Sequence, residues 1–203
     1  MRVRCLAASL IWGLFVADVA IAQAIPGQDA PPLQLSDVNG KRVDLKDLRG
    51  RTVVLEWNNP HCPFVQKHYR GGNMQSLQKR FTGERVVWLT INSTSSGHAE
   101  FMNDMAMAAW IGKQGATPTA ALMDPDGRAG RAFGARTTPQ MFIIDPQGKV
   151  TYAGAIDNRR GTDAAEIKGA TNYVVQALDE VRAGKAVSVA ATQPYGCSVK
   201  YGG

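Results

Sequence analysis

Leu55-Glu56-Trp57-Asn58-Asn59-Pro60-His61-Cys62-Pro63-Phe64 is the stretch in which one periodicity gives way to another. Just before it, Thr52-Val53-Val54-Leu55 is a β-branched, apolar run that reads as a buried strand. Beyond it, Val65 and Tyr69, then Leu77 and Phe81, lie four apart, as on one face of a helix. The pattern predicts a strand that ends shortly before Cys62 and a helix that begins with Pro63, where a missing N–H costs nothing. Free backbone N–H groups and the positive end of the helix dipole then face the sulfur. Helix N-termini of this kind bring a cysteine pKa from ~8.5 to ~3.5–7.5, and the thiolate is the nucleophile. Free cysteine is also among the most buried residue types, so an inert packed thiol is the alternative. The flanking proline and the strand-to-helix position favour the reactive reading.

Upstream, residues 25–32 contain three prolines and no periodicity, and read as a flexible lead-in. Leu33 and Leu35 alternate with polar residues, and Asn39-Gly40 marks a hairpin turn into Val43 and Leu45. Downstream, Gly71-Gly72 breaks the helical pattern, and Asn73 is placed to cap its resumption through Phe81. Arg85 to Ile91 reads as the next strand. Phe101, Met102, Met105, Ala109 and Trp110 predict a helix over 98–110, with the methionines as core filler and not as metal ligands. Ala120–Met123 is a short strand closed by the turn Asp124-Pro125-Asp126-Gly127, and a short helix through Phe133 follows. Thr137-Thr138-Pro139 leads into the strand Met141–Ile144, which a second Pro-Gly turn folds back into Lys149–Gly154. Tyr173, Ala177, Leu178 and Val181 predict one helix over 164–183, with Gly184 at its C-cap. The tail 184–203 shows no element of its own and ends in Tyr195-Gly196-Cys197-Ser198-Val199-Lys200-Tyr201. The order predicts an α/β fold with a mixed central sheet, helices on both faces and an N-terminal hairpin extension.

With 203 residues, 44% of them hydrophobic and 20% charged, the chain is globular and not fibrous or disordered. Residues 1–24 read as a signal peptide: Arg2 and Arg4 precede an apolar run from Leu6 to Val16, and Ala22-Gln23-Ala24 is a small-x-small cleavage site. Ala20-Ile21-Ala22 offers a cut two residues earlier, and an uncleaved membrane anchor is the alternative reading. Cys5 belongs to the leader and has no expected role. Removal of the leader leaves a single domain, 25–203, in an exported and expectedly periplasmic protein. The net charge of +6 comes from scattered Lys and Arg, which points to a solvated surface and not to a nucleic-acid partner. The mature chain keeps two cysteines, Cys62 and Cys197, in a compartment where thiols tend to be oxidised. Whether they pair is a question of geometry that spacing leaves open.

Strand, cysteine at a helix start, crossover, then Thr-Pro ahead of a β-hairpin and a closing helix: over residues 30 to 183 this resembles the thioredoxin fold. It is most similar to the redoxin branch, the alkyl hydroperoxide reductase/thiol-specific antioxidant family. Within that branch it resembles a peroxiredoxin-like group through Leu55–Trp57, Cys62–Val65, Lys67–Tyr69 and Tyr195–Tyr201. The resemblance implies that Cys62 is the nucleophile, that Pro139 is a cis-proline facing it, and that Glu56 is a buried, proton-relaying acid. A salt-bridged or solvated carboxylate is the alternative for Glu56. Pro63, Thr138 and Pro139 are then the expected substrate-binding residues.

The chain also departs from the pattern. Val65 stands where a dithiol thioredoxin has its second cysteine, and Asn59 and Leu55 replace the Thr/Ser and Pro of a typical peroxiredoxin motif. A protonated His61 beside Cys62 would favour the thiolate. A copper site from His61, Cys62 and His68 is disfavoured, because Gln66 occupies the second position of the Cys-x-x-x-Cys used for copper delivery. No cofactor is expected. The reading is a thiol-dependent oxidoreductase in which Cys62 attacks a peroxide or disulfide and Cys197 resolves the product, with an external thiol reductant closing the cycle. The alternative is a non-catalytic binding module with a structural Cys62–Cys197 bridge.

Overall fold

The computed structural model describes residues 24–203. The expected leader therefore lies outside the described residues, except for Ala24. That residue is buried, and its N–H donates to the Phe133 carbonyl at 3.3 Å.

The hairpin of β1 (Gln34–Asp37) and β2 (Arg42–Asp44) turns at Gly40, whose N–H returns to the Asp37 carbonyl. The Val53–Trp57 strand is β3, followed by α1 (Pro63–Arg70), α2 (Asn73–Gly83) and β4 (Val87–Asn92). Then come α3 (Asp104–Lys113), β5 (Ala120–Met123) and α4 (Arg128–Phe133). A two-residue strand β6 (Thr137–Thr138) precedes β7 (Gln140–Ile144) and β8 (Val150–Gly154). Helix α5 (Tyr173–Arg182) and β9 (Cys197–Ser198) complete the chain.

Seven strands make one sheet in the order β2-β1-β5-β4-β3-β7-β8. β3 is parallel to β4 and antiparallel to β7, so the strand that delivers Cys62 is central and buried on both faces. Its period-two alternation divides the core. Val53, Leu55 and Trp57 face a cluster with Leu33, Ala129, Phe133 and Phe142. Val54 faces the other cluster, where Val65 and Tyr69 of α1, Leu77 and Phe81 of α2, and Val174 and Leu178 of α5 close over the sheet. This is the mixed, doubly covered sheet that the element order predicts. Among the described residues no helix is long and apolar enough to cross a membrane.

Several expected boundaries shift, each for a local reason. The helix expected over 98–110 starts at Asp104, because the Asn103 side chain caps it by accepting from the Ala106 N–H at 2.9 Å. The helix expected over 164–183 is split into a 3-10 turn, Ala164–Ile167, and α5. Gly169 takes the left-handed φ of +85° between them, and Asn172 caps the second piece through the Val175 N–H. Arg85 belongs to the turn that ends α2, with φ at +68°, and not to the next strand. Gly72, not Asn73, holds the cap position of α2, and the Asn73 amide turns to the His68 ring instead. The lead-in is not loose: Gly27 donates to Val150, Val150 to Gln28, and Ala30 to Gly148. The tail does form an element, since β9 pairs antiparallel with β6. Before that it covers the edge of β8, with Ala153 donating to Ala190 and Thr192 donating to Ala153.

Candidate active site

Cys62 sits at the N-cap position of α1, with Pro63 first in the helix, as the proline and the spacing predict. The loop before it is shaped by Asn59. Its side-chain carbonyl accepts from the His61 N–H at 2.9 Å, and its backbone carbonyl accepts from the Cys62 N–H at 3.0 Å. The Asn59 amide donates to Glu100 at 2.6 Å. Cys62 is only 1% exposed, and its thiol donates to the Thr138 carbonyl at 3.0 Å.

The Thr138–Pro139 peptide bond is cis, as the resemblance implies. Thr138 and Pro139 are themselves buried. The strand edge expected to offer backbone to a substrate is already occupied, because β9 lies on it with Cys197 opposite Thr138 and Ser198 opposite Thr137. Gly196 permits that approach: its φ is +135°, and a methyl group there would overlap the Thr138 carbonyl. Cys197 is half-buried and adjoins Cys62, both as free thiols. Burial, then the hydrogen bond and charge of Cys62, push the Cys197 thiol up to about 12. Pro63 is exposed at the rim.

Glu56 is fully buried on the α1 side of β3. Five donors converge on its carboxyl: Tyr69 at 2.8 Å, Asn58 and Trp88 at 2.9 Å, Thr90 at 3.1 Å and Gln78 at 3.3 Å. Burial raises its pKa, and the hydrogen bonds oppose that rise. Among the described residues no direct hydrogen bond joins Glu56 to either cysteine. Its hydrogen-bond partners are all neutral donors.

Other groups carry more than spacing suggests. His68 is buried, and both of its ring nitrogens are engaged, by Asn73 at 2.9 Å and by the Tyr195 hydroxyl at 3.2 Å. Burial holds its pKa down at about 4. Lys67 is buried as well, its ammonium donating to the Arg159 carbonyl at 2.6 Å and to Glu166 at 3.3 Å. These residues lie in the motif pieces Lys67–Tyr69 and Tyr195–Tyr201, which the sequence marks without assigning a role. His61 is exposed, and His98 accepts from the Glu100 N–H in the turns ahead of α3. Among the described residues no group of three or more His, Cys, Asp or Glu side chains is arranged to hold a metal ion.

A family model described as AhpC/TSA family matches residues 26–153. The thiol-disulfide oxidoreductase ResA of Bacillus subtilis (strain 168) is 27% identical over 124 residues, which is 61% of this chain and 64% of that protein. An uncharacterized conserved protein from Geobacillus kaustophilus superimposes with a TM-score of 0.74 at 25% identity, covering 89% of this chain and 94% of that one. The exposed lipoprotein thioredoxin of Streptococcus pneumoniae strain TIGR4 superimposes with a TM-score of 0.50 at 23% identity, covering 68% of this chain and 96% of that one. The fold is thioredoxin-like.

Proposed function

Because the chain belongs to the AhpC/TSA family, we propose that it is an exported thiol–disulfide oxidoreductase with Cys62 as nucleophile and Cys197 as resolving thiol. The observation that carries this reading is the register of β6 against β9. It sets Cys197 opposite Thr138, whose carbonyl already receives the Cys62 thiol. Cys62 as thiolate attacks one sulfur of a substrate disulfide, a mixed disulfide forms, and the other substrate sulfur leaves as thiolate. Cys197, once deprotonated, attacks the Cys62 sulfur. The second substrate thiolate leaves, so the substrate is reduced by two electrons and the protein carries a Cys62–Cys197 disulfide. An external thiol reductant restores the dithiol by the same exchange.

The order of these steps is supported by the way the two thiols influence each other. While Cys62 is a thiolate, its charge and hydrogen bond help to hold the proton on Cys197. In the mixed disulfide that charge is gone, and Cys197 ionises more readily at the step that needs it. Burial, the largest influence, remains.

A peroxide is the less favoured oxidant. The residue standing in place of the peroxide-orienting hydroxyl is Asn59, and its amide and carbonyl are spent on Glu100 and the His61 N–H. Glu56 serves the site from below, tying the loop before Cys62 (Asn58) and the helix after it (Tyr69) to the sheet. Burial favours its protonated form, the form able to release a proton. Export to the periplasm rests on the leader pattern of residues 1–24.

The test is disulfide reduction by the full chain followed by mass spectrometry. Cys62→Ser abolishes turnover, and Cys197→Ser permits a single attack that stalls as a mixed disulfide on Cys62. Turnover that survives Cys62→Ser would remove Cys62 as the nucleophile, a native protein that never forms the internal disulfide would remove Cys197 as the resolving thiol, and an internal disulfide with no turnover would leave the non-catalytic binding module.

A further inference from the structure

We infer that Tyr195 is a positioning residue for the resolving thiol: its hydroxyl, held between His68 and Asp157, anchors the tail to α1 and so holds Cys197 against Cys62. This rests on the resolving role proposed for Cys197. The two cysteines account for only part of the motif pieces Lys67–Tyr69 and Tyr195–Tyr201, and the structure joins what is left. The Tyr195 hydroxyl donates to Asp157 Oδ1 at 2.6 Å. His68 accepts from the Asn73 amide at Nδ1, which leaves Nε2 to donate to the same hydroxyl at 3.2 Å. The Tyr195 ring packs edge-on against Phe64 at 5.9 Å between centroids, and the Lys67 ammonium lies 5.7 Å above it. Lys67 is in turn fastened to Arg159 and Glu166.

Every one of those contacts from α1 comes from the helix whose first turn presents Cys62. The anchor and the nucleophile therefore share one rigid element. From Tyr195 the chain has a single residue, Gly196, before Cys197, and Gly196 lies too close to the Thr138 carbonyl to accept a side chain. Beyond Cys197 the tail is held again, with Val199 donating to Arg136, Ser95 donating to Lys200, and the Tyr201 hydroxyl donating to Ala135 at 2.8 Å. Cys197 is thus suspended between two fixed points. A loose tail would have to find Cys62 by chain closure, while a held one presents the thiol at high effective concentration. A Phe at 195 would fill the same space, so the hydroxyl is there for its two buried partners.

An aromatic disulfide with a coloured leaving thiolate separates the two steps. Attack by Cys62 breaks the reagent's S–S bond and releases one aryl thiolate. Attack by Cys197 on the mixed disulfide releases the second and leaves the internal disulfide. With the full chain, both releases should be fast in the native protein. In Tyr195→Ala the first release should be no slower, since a loosened tail uncovers Cys62, while the second slows by on the order of tenfold or more. Tyr195→Phe keeps the ring contacts and should fall between the two, and it decides the matter if the alanine variant does not fold. A second release as fast as native in both variants would overturn the positioning role. A native protein that releases only one equivalent would overturn the resolving role of Cys197, and the anchor with it. Tyr195→Phe, which keeps the ring packing and loses only the hydroxyl contacts, separates positioning from general destabilisation.

Discussion

Burial comes first among the influences that push the Cys197 thiol up to about 12, and the hydrogen bond and charge of Cys62 come next. Cys62→Ala removes those two and leaves the burial. Cys197 should then titrate lower in the variant, measured as its alkylation rate against pH, and an unchanged profile would contradict the pairing of the thiols. At Glu56 the consequence is one of stability. Glu56→Ala strips the acceptor from Asn58, Tyr69, Gln78, Trp88 and Thr90 inside a closed core. Stranded buried donors together with a cavity should lower stability by about 3–5 kcal/mol in urea unfolding. A loss under about 1 kcal/mol would mean that water refills the cage.

Among the elements, β9 is as short as the two-residue β6 it pairs with, yet it covers the candidate site. Its two residues add to an edge that would otherwise present unpaired backbone next to Cys62. Gly196→Ala forces a methyl group against the Thr138 carbonyl and must push the strand outward. Cys62 should then react faster with a bulky alkylating reagent than in the native protein, where it is 1% exposed. Equal rates would show that the tail does not limit access. Helix α1, by contrast, follows from its own residues. Pro63 fixes its start, Gly71 ends it, and Val65 and Tyr69 set its buried face.

For the whole molecule, the buried polar groups that hold the tail make stability depend on pH. His68 titrates near 4 in the folded protein against an ordinary 6.5, because burial resists its charge, Lys67 repels it and Asp157 only partly compensates. Between those two values the unfolded chain binds a proton that the folded one does not. This contribution is therefore complete above pH ~6.5 and is lost as pH falls toward ~4, by about 3 kcal/mol in all. Urea midpoints at the two ends of that window should differ more for the native chain than for His68→Gln, which cannot take up the proton. Parallel pH profiles would remove His68 as the cause.

The amino-acid order alone marked strands β1 to β5, β7 and β8, the helix start after Cys62 and the Thr138-Pro139 entry into β7, because each follows from residues adjacent along the chain. Periodicity and proline geometry act over one or two turns. It could not place the boundaries set by the side-chain caps of Asn103 and Asn172, since a pattern of apolar residues continues across them. It also could not join His68 to Tyr195, or Thr138 to Cys197, pairs separated by 127 and 59 positions. Those contacts arise only when the finished sheet offers β6 as an edge and α1 offers a polar socket beside it. The setting of Cys62 at a helix start is therefore a local property of ten residues, while the Cys197 thiol reaches it only through the tertiary fold.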